Sequence, residues 1–240
     1  MSKINSYLNG IYPIVLLPGT LCNERMWSDQ KKVLSNYTDV FIGDLSKCSS
    51  ISSMAESVLK ESPKYFNLAG LSMGGMVAIE IMKQSPERIK KLALLDTNPY
   101  LPTKEQISNW EYFISLSEAG RFREVTENHL IKNLLSQNNS DETLKSTIIK
   151  MSDEIGKEAM IKQMNALMQR PDLTVELPNI QVPTKVIVGK EDTVCPVEMS
   201  EYIVSEIPES TLEIIEGAGH LSSLEKPNEV TDILVELVTT

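Results

Sequence analysis

Short apolar runs recur along the chain, and each is stopped by turn residues. The first, residues 12–17 (Tyr12-Pro13-Ile14-Val15-Leu16-Leu17), is broken by Pro18-Gly19-Thr20. Similar runs stand at 40–42, 65–69, 92–95, 185–188 and 211–215. Runs of this length, apolar at consecutive positions, read as strands covered on both faces in a parallel sheet. Between most of them lie amphipathic stretches of helical length, at 26–34, 51–61, 73–84 and 196–206, and a last helix is predicted at 228–238. Strand and helix in alternation predict an α/β fold, a mostly parallel sheet flanked by helices.

The alternation lapses between Asn98 and Pro178, where no strand-like run occurs and helical patterns fill 104–116, 122–135, 140–151 and 157–168. Pro99 and Pro102 precede this stretch, and Pro171, Pro178 and Pro183 close it. Its only glycines, Gly120 and Gly156, fall between helical patterns, where turns are expected. It reads as an all-helical cap insertion, 98–178, over a core made of 1–97 and 179–240.

Composition narrows the function. Of 240 residues, 41% are apolar before the 11 glycines are added, enough to build a sizeable core. The formal charge of −10 disfavours nucleic acid and anionic membrane surfaces as partners. Apolar stretches as short as Ile14 to Leu17 fall far below the ~18–20 residues of a membrane span. The polar opening Met1-Ser2-Lys3-Ile4-Asn5-Ser6 lacks the apolar core of a signal segment, so a cytoplasmic protein is expected. Cys22, Cys48 and Cys195 are odd in number and widely spaced, with no CxxC pair, and only His129 and His220 supply imidazole. Neither a disulfide framework nor a metal centre is expected, and no cofactor is required. The sequence leaves the oligomeric state open.

Chemistry concentrates at the predicted strand ends. After the third strand comes Gly70-Leu71-Ser72-Met73-Gly74, a G-x-S-x-G turn into a helix. Such a turn lifts the Ser72 hydroxyl above the sheet edge and leaves the Met73 amide at a helix N-terminus, where it can stabilise developing negative charge. The alternative is a glycine-rich turn with a solvated serine. A serine hydroxyl needs a base. His220, in Gly217-Ala218-Gly219-His220-Leu221, follows the last predicted strand and faces the same edge. His129 sits mid-helix in the insertion and reads as a partly exposed helix residue. Asp192, in Val188-Gly189-Lys190-Glu191-Asp192, is the acid chosen to orient His220, since a late acid in the order Ser…Asp…His suits this architecture. Asp96, which also follows a strand, is its rival, and the neighbouring Glu191 is expected to point elsewhere.

Ser72, Asp192 and His220, in that order on those strand ends, resemble the α/β-hydrolase superfamily, in particular its small esterase-like branch with a helical cap. The resemblance spans nearly the whole chain. It includes Pro18-Gly19-Thr20, Trp27, Ala218-Gly219-His220 and Leu224-Glu225-Lys226-Pro227. It implies an oxyanion site built from the Thr20 and Met73 amides. Pro18 stands where relatives often carry histidine, so Leu21 is an alternative donor to Thr20. Relatives usually place a β-hairpin before the first parallel strand. Only about a dozen residues precede it here, which predicts a sheet of six strands.

The implied function is hydrolysis of a carboxylic ester or thioester of a small, largely apolar acyl substrate through an acyl-enzyme. Two alternatives stay open: a same-fold lyase, lactonase or C–C hydrolase, and a ligand-binding sensor with little turnover. In the insertion, Met160, Met164 and Met168 form a helical stripe that serves packing, an apolar pocket, or both. Trp110, Tyr112 and Phe113 admit the same two readings. Nine Lys/Arg against twelve Asp/Glu between 98 and 178 argue against a polyanionic substrate, although Arg121, Arg123 and Arg170 could form a carboxylate clamp. Cys22 and Cys195, close in sequence to the reactive loops, are expected to pack rather than react.

Overall fold

Six strands form one sheet in the order β2-β1-β3-β4-β5-β6 in a computed structural model that describes residues 10–137 and 139–240. They are β1 (Ile14–Leu17), β2 (Val40–Ile42), β3 (Phe66–Leu71), β4 (Ile89–Leu95), β5 (Thr184–Gly189) and β6 (Ser210–Ile215). Every pairing is parallel. The six-stranded sheet expected from the sequence is present among the described residues. The polar opening 1–6 lies outside them. No helix among the described residues is long and apolar enough to cross a membrane.

The strands alternate between two apolar clusters. Val15, Leu17, Leu92 and Leu94 enter one, whereas Ile14, Leu16, Ala93 and Leu95 enter the other. Period-two alternation places these clusters on opposite faces of the sheet. Helices α2 (Ile51–Glu61), α3 (Met73–Gln84) and α8 (Val197–Glu206) pack on the first face. Helices α1 (Ser28–Leu34) and α9 (Pro227–Thr239) pack on the second. Both faces of the central strands are therefore dry, as their unbroken apolar runs require.

Between β4 and β5 the chain is helical, as expected. Helix α4 (Lys104–Glu118) opens with a reciprocal capping box between Thr103 and Gln106. Gly120 ends it at φ 80°. The next predicted helix is not uniform. It runs as α5 (Phe122–Glu124), a π-helix (Val125–Leu130) and α6 (Ile131–Leu134). Helix α7 (Glu142–Met168) follows, and Gly156 breaks it at φ 81°, ψ 169°. This break stands where the sequence predicts a turn between two helices. Because β4 and β5 are parallel neighbours, this excursion re-enters β5 at the amino edge of the sheet after leaving β4 above the carboxyl edge.

Candidate active site

The loops after β1, β3, β5 and β6 meet at that edge. Ser72 follows β3 directly and adopts φ 56°, ψ −117°, a region that L-residues rarely occupy. Close packing enforces the turn. A Cβ on Gly74 would strike the Leu17 carbonyl, and one on Gly70 would strike the carbonyl of Gly74. The Ser72 carbonyl accepts from the Gly75 and Met76 amides and from Thr97 Oγ1 at 2.7 Å, which locks the turn to the end of β4.

His220 Nε2 lies 2.9 Å from Ser72 Oγ, and His220 Nδ1 lies 2.8 Å from Asp192 Oδ2. The other Asp192 oxygen accepts from the amides of Val194 (2.8 Å) and Cys195 (2.9 Å). Asp192 is therefore oriented from one side and orients the imidazole with the other. Burial opposes a charged imidazole, but the charge and hydrogen bond of Asp192 outweigh it, and His220 is held above its ordinary value. Asp96, the rival acid, is fully buried and makes no hydrogen bond to His220. It accepts from the Gly189 amide at 2.8 Å and from Ser222 Oγ. Burial and the nearby Asp192 charge push its carboxyl up to about 8. Glu191 accepts from the Gln137 amide, away from His220.

Of the two candidate amide donors in the loop after β1, one is occupied. The Leu21 amide, at φ 57°, donates to the buried Gln163 Oε1 at 2.9 Å. The Thr20 amide donates to no group among the described residues. Met73 is the first residue of α3, so its amide lies outside the helical ladder.

Ser72 and His220 open into a cavity of about 240 Å³. Trp110, Phe113, Met164 and Leu167 line it from the helical excursion, as do Thr126 and His129 of the π-helix. Met160 is instead buried in the core, and Tyr112 is exposed. His129 is a partly exposed helix residue, as read from the sequence, and it borders the cavity as well. Arg121 and Arg123 do not reach the cavity; they pair with Glu124 and Glu127 on the surface. Arg170 alone of the three arginines lines it.

Cys22 and Cys195 also line the cavity, and burial raises both thiols, Cys22 to about 12. Neither is a thiolate near neutral pH. Asp192, Cys195 and His220 bring three ligand atoms within 4.8 Å of one another. They fit a metal poorly. Both imidazole nitrogens are engaged, by Asp192 and Ser72, and the thiol is protonated.

The chain is 24% identical to the pimeloyl-[acyl-carrier protein] methyl ester esterase of Citrobacter koseri, covering 93% of each chain. The Nitrosomonas europaea esterase of the same name is 23% identical, over 95% of this chain and 97% of its own. Among solved structures, a thermophilic esterase from Thermogutta terrifontis superposes with a TM-score of 0.86 at 25% identity, covering 95% of this chain and 91% of its own. The enol-lactonase from Burkholderia xenovorans LB400 gives 0.86 at 20% identity, covering 96% and 92%. The model of the serine aminopeptidase S33 family (Hydrolase_4) matches residues 28–227, a span that holds Ser72, Asp192 and His220. The chain thus belongs to that family of hydrolases and carries the α/β-hydrolase fold that its strand ends foretold.

Proposed function

We propose that the protein hydrolyses a carboxylic ester of a small acyl substrate through an acyl-enzyme on Ser72. The observation that carries this reading is the unbroken chain Ser72–His220–Asp192, with links of 2.9 and 2.8 Å, opening into a mostly apolar cavity. In this scheme His220 Nε2 takes the Ser72 proton as Oγ attacks the acyl carbon. The same proton then goes to the departing alcohol oxygen. Asp192 holds the tautomer and stabilises the imidazolium. The amides of Thr20 and Met73 receive the oxyanion; the engagement of Leu21 by Gln163 favours Thr20 over Leu21 as donor. Water, deprotonated by His220, releases the acid. Residues 98–178 act as a cap that walls the acyl group.

The family description names an aminopeptidase, but the cavity speaks for esters. A peptide's terminal ammonium calls for a carboxylate partner in the pocket. No Asp or Glu lines this cavity among the described residues.

4-Nitrophenyl esters of increasing acyl length test the reading, with Ser72→Ala protein as the blank. Ser72-dependent release is expected, and Ser72→Ala lowers kcat by about 10³–10⁶-fold. A fluorophosphonate should phosphonylate Ser72 alone, with fluoride as the leaving group, adding the reagent's mass less HF. Undiminished turnover by Ser72→Ala would overturn the mechanism.

A further inference from the structure

Arg170 is an anomaly in an acidic protein. The chain carries 33 carboxylate side chains against 23 basic ones, yet this guanidinium, 3% exposed, forms no ion pair among the described residues. Its Nε donates to the Tyr100 carbonyl (2.8 Å), one Nη to the Leu167 carbonyl (3.1 Å), and the other, at 3.4 Å, to Gln106 Oε1. Its cation lies 5.4 Å from the centre of the Trp110 ring. These contacts use three of the five N–H donors and none supplies negative charge. Burial lowers its basicity to about 10, with no carboxylate to hold it up. A buried charge is ordinarily paired, and removal from water without a counter-ion is costly.

Where the missing anion would sit follows from the lining. Arg170 faces the same cavity as Ser72 and His220, and no acidic side chain competes for it there. Gln106 also lines the cavity. Its Oε1 is held by the Thr103 amide (3.0 Å) and by Arg170, while its NH₂ has no protein acceptor among the described residues. Arg170, with two unused guanidinium donors, and Gln106, with an unused amide group, line this cavity together. A planar guanidinium matches a carboxylate in shape and donor spacing. The cavity, at about 240 Å³, lies below the ~300–1,000 Å³ of drug-sized sites and suits a compact ligand.

We infer that the substrate is an ester bearing a free carboxylate at its far end, held by Arg170 and Gln106 while its ester carbonyl lies at Ser72. The inference rests on the esterase reading for the scissile bond, whereas the anion site stands without it.

Two substrates of equal shape test it: 4-nitrophenyl hydrogen glutarate, which ends in a carboxylate, and 4-nitrophenyl 5-methylhexanoate, its neutral isostere. The wild-type protein is expected to prefer the glutarate in kcat/KM by about tenfold or more, chiefly through KM. Arg170→Gln should collapse that ratio about tenfold, and Arg170→Lys should restore part of it. A wild-type ratio of one or below overturns the inference, as does an equal loss on both esters in Arg170→Gln. If Arg170→Gln does not fold, the wild-type protein decides: glutarate competes with the neutral ester and 1,5-pentanediol does not, and no inhibition by glutarate overturns it. If neither ester is hydrolysed, the esterase reading fails alone. Glutarate is then titrated into Ser72→Ala protein by tryptophan fluorescence; saturable binding absent with the diol upholds the anion site, and no binding removes it.

Discussion

Asp96 and Asp192 are both buried aspartates after strands at one sheet edge, yet their surroundings give them opposite work. Asp192 faces two amides and an imidazole, whereas Asp96 faces one amide and one hydroxyl. Asp192→Asn is expected to lower kcat/KM by about 10³–10⁴-fold, because the amide favours the wrong tautomer. Asp96→Asn acts on the base only through space and stays within about tenfold. The acid limb of the kcat/KM profile reports His220 leaving its neutral, active form, so activity falls as pH drops through a value above 6.5. Stability runs the other way. Asp96, at about 8 when folded against an aspartate's ordinary 3.8, binds its proton more tightly in the folded protein. Its contribution is complete below about pH 4 and is lost as pH rises through about 8. The melting temperature of Asp96→Asn relative to wild type therefore rises between pH 5 and pH 8.5. A flat difference would show that Asp96 does not titrate there.

Helix α7 braces the loop that carries the proposed oxyanion donor. Glu154 accepts from Asn23 Nδ2 and from Nε and one Nη of Arg25, and Gln163 accepts from the Leu21 amide. The Glu154 contacts are exposed and contribute little; the Gln163 bond is buried and is the one that counts. Gln163→Ala leaves a buried amide unsatisfied, at a cost of about 1–3 kcal/mol in denaturant unfolding. It should also lower kcat more than it raises KM, because it loosens the loop that receives the oxyanion rather than the acyl wall. This bracing was not legible in the sequence. Ser72, Asp192 and His220 were, because each follows a strand and the parallel sheet sends every strand end to one edge. The helical stretches offered only a periodicity, which tells the buried face of a helix but not its partner. Gln163 is one polar residue on a buried face, and Arg170 was one of three arginines with equal claims.

The two apolar clusters communicate mainly through the sheet, but α7 joins them a second time. Ile148 and Met151, before its break, belong to one cluster, while Met160 and Met164, after it, belong to the other. Each cluster also holds one tryptophan. Trp27 is buried in the second, and Trp110 packs against the first. Thermal melts of Trp27→Phe and Trp110→Phe, followed by the remaining indole, should each be a single step, with the two probes' midpoints coinciding once corrected for the stability change of each variant. Midpoints that stay apart after that correction would mean that the faces unfold independently. The link between the halves of α7 is Gly156, with open space where a side chain would stand. Its φ of 81° and ψ of 169° belong to a region reserved for glycine among L-residues, but their mirror image is ordinary extended backbone. The position therefore discriminates by handedness alone. L-alanine there lowers stability by ~1–3 kcal/mol, whereas D-alanine, introduced by chemical ligation, fits the break unstrained and stiffens the unfolded chain.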